Sequence, residues 1–207
     1  MSKTPTALPP LTLRPLHAGD RAAIEHFFLA EMDDVSLYWR FFRTMTPMTV
    51  HAYVEQMRFD NGCFVLGAFF GERLVGVAEL SAIPGSENCI ENRPGALSCA
   101  ELGIAVSNHL HQKGVGRQLL SSLLDTAWQR GLKRVQLSSL RDNRPMLGLA
   151  ARLGFQPLRE ESGEIIMQAL RPADLPKAVR RRPQKAAATA TEREINCSAK
   201  VVNARCR

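Results

Sequence analysis

The order of hydrophobic patterns predicts an α/β protein, a mixed sheet with helices on both faces. Three observations carry that reading. Apolar runs of strand length alternate with segments of helical period between residues 11 and 170. The order is strand, two helices, three strands, helix, strand, helix and two strands, and one sheet covered on both faces buries all their apolar surfaces. No internal repeat and no run of about 18 apolar residues competes, so neither a solenoid nor a membrane span is expected.

Each element has a local reason. Leu11-Thr-Leu-Arg-Pro-Leu16 reads as a first strand, stopped near Pro15. Asp20 is placed to cap a helix with Ala23, Ile24, Phe27 and Phe28 inward. Aromatics concentrate over Val35 to Phe42. Pro47 to Met57 reads as a second helix, with Val50, Tyr53, Val54 and Met57 on its buried face. Cys63 to Phe70 and Leu74 to Leu80 are apolar runs joined at Gly71-Glu72-Arg73, a hairpin. A Gly-, Pro- and Asn-rich loop over Ile83 to Gly95 leads to a strand from Leu97 to Val106. Leu119, Leu120, Leu123, Leu124, Ala127 and Trp128 share one face of a long helix. After a strand over Arg134 to Leu140, Asp142 or Asn143 caps a helix with Pro145 in its first turn. That helix stops at Leu153-Gly154-Phe155, with Gly154 beyond its end. Phe155 to Leu158 and Ile165 to Leu170 pair around Glu160-Glu-Ser-Gly163.

At 207 residues, one domain with a useful core is the expectation, and 45% hydrophobic with 23% charged residues is ordinary for a globular chain. The net charge of +7 is misplaced if read as a domain property. Ten Lys/Arg and three Asp/Glu lie from Arg171 onward, leaving 17 of each before it. The organisation is therefore a loose N-terminus over residues 1–10, a folded domain over 11–170, and a basic tail over 171–207 expected to be disordered. No apolar core follows a basic start, so no secretory signal is expected. Cys63, Cys89, Cys99, Cys197 and Cys206 lack zinc spacing, which favours reduced thiols in a cytoplasm and no metal.

The chemistry concentrates in Glu101-Leu-Gly-Ile-Ala-Val106 and His111-Gln-Lys-Gly-Val-Gly-Arg117. A strand runs through a short loop into a glycine-bearing turn that opens a helix. Gly114 and Gly116 let backbone N–H groups approach an anion, and the helix N-terminus and Lys113 and Arg117 add positive charge. The spacing is not a Walker loop. It is not a dinucleotide fingerprint either, because Leu119 stands at the third glycine.

This strand and loop resemble the acetyl-CoA site of the GNAT family of N-acetyltransferases. Two further motifs fall in register with it. Asn143-Arg-Pro-Met-Leu-Gly-Leu-Ala-Ala-Arg-Leu-Gly154-Phe155 is similar to the family's N-x-x-A/M…G-F helix, and Leu37-Tyr-Trp-Arg40-Phe41-Phe42 resembles a segment of the Pat-like bacterial protein lysine acetyltransferases. Asp60 fits that subgroup too. Over Leu11 to Leu170 the resemblance implies the acyl-CoA N-acyltransferase fold, with a central twisted mixed sheet, and acetyl transfer from acetyl-CoA to a primary amine. It implies Glu101 as the catalytic base, with Glu79 the alternative. It implies that the backbone of Ile104, Ala105 and Val106 pairs with the pantetheine arm, that Gln112, Lys113, Gly114, Val115, Gly116 and Arg117 surround the pyrophosphate, and that Asn143, with Pro145 and Met146, lies along the coenzyme. As a simple helix cap, Asn143 looks identical in sequence. Arg40 is read as a structural ion pair with Asp60 or Glu31.

Two positions depart from the family. His111 stands where Gln or Arg opens the loop, with Gln112 one residue later. Ala150 stands where many relatives carry the tyrosine that protonates the leaving thiolate. These keep a second reading open, a catalytically weak acetyl-CoA-binding sensor or regulatory module. The acceptor is a protein lysine or a small amine. A homodimer is compatible, a membrane is not expected, and nucleic acid is expected only through the tail.

Overall fold

The computed structural model describes residues 10–59, 63–82 and 99–174. Its elements are β1 (Leu11–Pro15), α1 (Arg21–Ala30), α2 (Asp34–Phe41), α3 (Pro47–Gln56), β2 (Cys63–Phe70), β3 (Arg73–Ala82), β4 (Cys99–Val106), α4 (Val115–Gln129), β5 (Arg134–Leu140), α5 (Arg144–Arg152), β6 (Gln156–Glu161) and β7 (Glu164–Leu170). The seven strands follow the order β1-β2-β3-β4-β5-β7-β6. The β4–β5 pairing is parallel, while β1–β2, β2–β3, β5–β7 and β6–β7 are antiparallel, so the sheet is mixed. Among the described residues no helix is long and apolar enough to cross a membrane. The described residues divide into two compact units, 10–59, 63–82 and 103–126 in the first and 99–102 and 127–174 in the second.

In the first unit, Ile24, Phe27 and Phe28 of α1, Leu37 of α2, and Val50 and Val54 of α3 share a core with Val65, Val77 and Ala105 of the strands. Phe27, Phe28, Phe41 and Tyr53 meet edge to face, the preferred geometry of aromatic quadrupoles. The side chain of Arg21 donates to the carbonyls of Val54 and Met57, closing the end of α3 against α1. Successive strand residues face opposite ways. So while Val77 joins this core, its neighbour Gly76 faces α4. A methyl at Gly76 would stand 2.7 Å from Leu119 Cδ1 and 3.3 Å from the Ala105 carbonyl oxygen. Helices therefore cover both faces of β3.

In the second unit, β4 pairs with β5 only over Cys99↔Arg134 to Glu101↔Gln136, and β5 continues against β7 along its whole length. Val135, Leu137, Phe155 and Met167 are fully buried there, with Leu147, Ala150 and Ala151 on the inner face of α5. Gly154, at φ +90, ends α5 as its sequence position predicts. β6 is exposed throughout.

Four expectations need correction or fall outside. The aromatic segment after Asp33 is a third helix, α2, which hydrophobic spacing did not separate. Ala23 is exposed, because α1 turns only Ile24, Phe27 and Phe28 inward. Asp20 precedes α1 without capping it: its carboxylate accepts instead from Arg14 (2.7 and 3.1 Å) and from the His17 amide (3.0 Å). The loop over residues 83–95, Leu97, Asp60 and the basic tail lie outside the described residues.

Gly76→Ala is expected to destabilise the protein by about 1–3 kcal/mol, because the buried Leu119 has nowhere to retreat; denaturant midpoints measure it. The hydrogen bonds from Arg14 hold the Asp20 carboxyl below the usual range. A lowered folded pKa contributes stability above the unfolded value of about 3.9 and loses it as pH falls through the folded one. Asp20→Asn is therefore expected to cost about 1–2 kcal/mol at neutral pH, discounted for the exposure of Arg14, with the gap from wild type closing below about pH 4. Urea melts at a series of pH values read both.

Candidate active site

At the end of β4 the chain makes one short 3-10 turn, Asn108–Leu110, and then enters the loop His111 to Gly114. Two residues there take left-handed backbone, Gln112 at φ +60 and Gly114 at φ +88. A methyl built on Gly114 meets nothing within 4 Å, so conformation rather than crowding selects glycine. This double reversal turns the chain sharply into α4. Val115 is buried and anchors the helix start, while Gln112, Lys113, Gly114 and Arg117 are exposed and Gly116 is half-buried. The first N–H groups of a helix have no partner within it. Here they stand beside two cations at a surface turn, which is the composition of an anion site.

His111 is exposed, with its Nε2 donating to the Val106 carbonyl at 3.0 Å. That bond ties the strand end to the loop start, which gives the unexpected histidine a physical role. Ala105 is buried, and Ile104 and Val106 are half-buried.

Glu101 lies in an apolar stretch of β4, yet the residue is exposed and its carboxylate accepts one hydroxyl, that of Ser138, at 3.5 Å. On β4 it shares a face with Gly103 and Ala105, by the two-residue period of the strand. Asn143 caps α5, its Oδ1 accepting from the Met146 amide at 3.2 Å. Its side-chain NH2 has two further donors to offer. Met146 is half-buried and Pro145 exposed. Ala150 is fully buried, so the position where relatives hold a phenol belongs here to the core.

The sequence matches the profile of the acetyltransferase (GNAT) family over residues 19–155. The chain belongs to that family. The GNAT domain of Streptomyces lividans Pat shares its fold at a TM-score of 0.64 and 22% identity, covering 77% of this chain and 89% of that one. A PaiA N-acetyltransferase from Thermoplasma acidophilum, solved with coenzyme A, is similar at 0.58 and 16%, covering 78% and 99%. YncA of Salmonella typhimurium, a putative acetyltransferase solved with acetyl-CoA, is similar at 0.55 and 22%, covering 77% and 93%.

This GNAT acetyltransferase holds a second polar cluster in its first unit. Glu79 of β3 accepts from Arg40 Nη2 (3.1 Å) and the Tyr53 hydroxyl (2.6 Å) through Oε2, and from Cys63 Sγ (3.5 Å) through Oε1. Arg40 Nη2 also reaches the Tyr53 oxygen at 3.2 Å. The partner of Arg40 is thus Glu79, not Glu31, which Arg73 takes instead. Burial, with the Glu79 charge beside it, pushes the Tyr53 phenol far above its ordinary value, so it stays protonated and donates. The Glu79 carboxylate thus accepts from three donors, two of them through Oε2. The signal available in sequence was a glutamate inside the apolar run of β3, but not the arginine 39 residues earlier that answers it.

Arg40 lies directly over Gly103. A methyl there would stand 2.4 Å from Nη2 and 2.5 Å from Cζ. Gly103→Ala is expected to displace the guanidinium from Glu79, where the two side chains are 19% and 17% exposed, at a cost of about 1–3 kcal/mol. In a double-mutant cycle with Arg40→Ala, the two losses are expected to fall well short of adding.

Proposed function

We propose that this acetyltransferase moves the acetyl group of acetyl-CoA directly to a primary amine, with a protein lysine as the acceptor class. The observation that carries the coenzyme half is the turn from Gln112 to Arg117, with its left-handed residues, open helix-start N–H groups and flanking cations. Those six residues hold the pyrophosphate. The backbone of Ile104, Ala105 and Val106 pairs with the pantetheine arm as an added strand would. Asn143 offers its carboxamide to a pantetheine amide, and Met146 packs along the arm. Likeness to the Pat domain supports the lysine acceptor.

Bound acetyl-CoA supplies a thioester carbonyl. A lysine ammonium, with a pKa of about 10.4, is neutral in only about one part in a few thousand at neutral pH, so a base must be in reach. Glu101 takes the ammonium proton; its exposure and lightly held carboxylate suit a base that meets its partner from solvent. A backbone N–H near Val106 polarises the carbonyl. The C–N bond forms, the C–S bond breaks, the sulfur leaves as thiolate, and the second proton on the acylated nitrogen passes to water. With a thiol pKa of about 8.5 as the guide, the thiolate needs no phenol to depart.

Thiol release from acetyl-CoA, followed against lysine peptides, polyamines and amino acids, tests this. Wild-type protein is expected to turn over on lysine peptides. Glu101→Gln is expected to lose about 10²-fold or more of kcat while binding coenzyme A unchanged. Tight coenzyme binding with no turnover on any acceptor would support the sensor reading instead.

A further inference from the structure

Glu31 closes α1 and is 7% exposed, a place where an unpaired carboxylate is costly. Three donors satisfy it. Arg73, the first residue of β3, gives Nε and Nη2 to Oε1 at 2.8 and 2.6 Å. The second oxygen turns away from that arginine and accepts from Ser107 Oγ at 2.8 Å. Ser107 is the first residue beyond β4 and is 1% exposed. Burial alone would raise the Glu31 pKa, but the bonds from Ser107 and Arg73 outweigh it and leave the group lowered and ionised.

The main chain repeats the connection. The Glu31 carbonyl accepts from the Asn108 amide at 3.0 Å, and the Asp33 amide donates to Asn108 Oδ1 at 3.2 Å. The Ser107 amide donates to the Val75 carbonyl at 2.9 Å. From this fixed pair the chain runs through Leu110 N to Ser107 O (2.9 Å) and the His111–Val106 bond straight into the turn at Gln112. The Arg73 side chain is 63% exposed, and an ion pair open to water on one side contributes little net stability. What it supplies is direction, because each oxygen accepts along a set line. Glu31 uses one oxygen for its counter-charge and aims the other at the start of the loop.

We infer that Glu31 is a positioning residue for the coenzyme loop, acting through Ser107 and Asn108, an assignment that rests on the coenzyme reading above. The same turn begins α2, since Asp33 Oδ1 accepts from the Ser36 amide at 2.8 Å. The helix that carries Arg40 and the loop that carries Lys113 and Arg117 therefore share one bracket, Glu31 to Asp33.

The test measures coenzyme A affinity by titration calorimetry, well below each variant's melting temperature, for Ser107→Ala and Glu31→Gln. Val54→Ala, a core truncation remote from the loop, serves as the stability control. Amide exchange of residues 107–118 is followed in parallel. Ser107→Ala is expected to weaken coenzyme A binding about tenfold, and Glu31→Gln more. Exchange is expected to quicken in that segment and not in β2 or β3. Val54→Ala is expected to melt earlier yet bind as wild type does. Normal coenzyme A affinity and unchanged exchange in both loop variants, with only an earlier melt, would reduce Glu31 to a structural ion pair and overturn the inference. Failure of the wild-type protein itself to bind coenzyme A would overturn the coenzyme reading and this assignment with it.

Discussion

The first unit depends on how closely α4 can approach β3. That approach is set at Gly76, where the absence of a side chain lets Leu119 and Val115 settle onto bare backbone. Between β4 and α4 the chain has Ser107 to Gly114 in which to turn, and Asn108–Leu110 of these form a 3-10 turn. Two left-handed residues in that short space follow from the geometry. The loop's shape is thus a consequence of helix-on-sheet packing, and the donors it exposes are a by-product of making so tight a connection.

A second regularity in this unit is the handling of charge. Asp20, Glu31 and Glu79 are each answered by an arginine from another element or turn: Arg14, Arg73 and Arg40. Each carboxylate also takes a further donor, a backbone amide for Asp20, the Ser107 hydroxyl for Glu31 and the Tyr53 hydroxyl for Glu79. Arginine's planar fork suits such duty: Arg14 spans both oxygens of Asp20, while Arg73 takes one oxygen of Glu31 and leaves the other to Ser107. The charges pair, and what remains is a set of fixed directions at the edge of an apolar core, with Arg14 and Arg73 reaching in from solvent.

Much of this was legible in sequence. The hairpin at Gly71, the proline-started α3 and α5, and the amphipathic α4 all carry local signals, and each formed close to its expected bounds. α2 did not announce itself. Its residues favour strands as much as helices, and it ends at Phe42 in left-handed backbone rather than at a glycine. Its one clear signal was the Asp33 cap, with Ser36 three residues on. The loop from Gln112 to Arg117 was readable because its chemistry is contiguous. Alternation in β4 told which residues share a face, but not which stretch of that face meets solvent, and so Glu101 appeared more enclosed than it is. The partners of Arg40 and Glu31 were out of reach for a different reason: Glu79 and Ser107 lie 39 and 76 residues away, and only the folded topology brings them near.

The two outer strands have a consequence for the protein in a crowded solution. A sheet that is not closed offers unpaired N–H and C=O groups along its edges, a template on which another chain can build. Here one edge, β6, is solvent-exposed along its length and carries Pro157, Arg159, Glu160 and Glu161. The other, β1, is five residues long, bears Arg14 and stops at Pro15. Proline withholds a donor and charge resists being sandwiched, so neither rim invites a continuing strand. Among the described residues, both outer strands therefore carry the features that discourage a further strand from adding to the sheet.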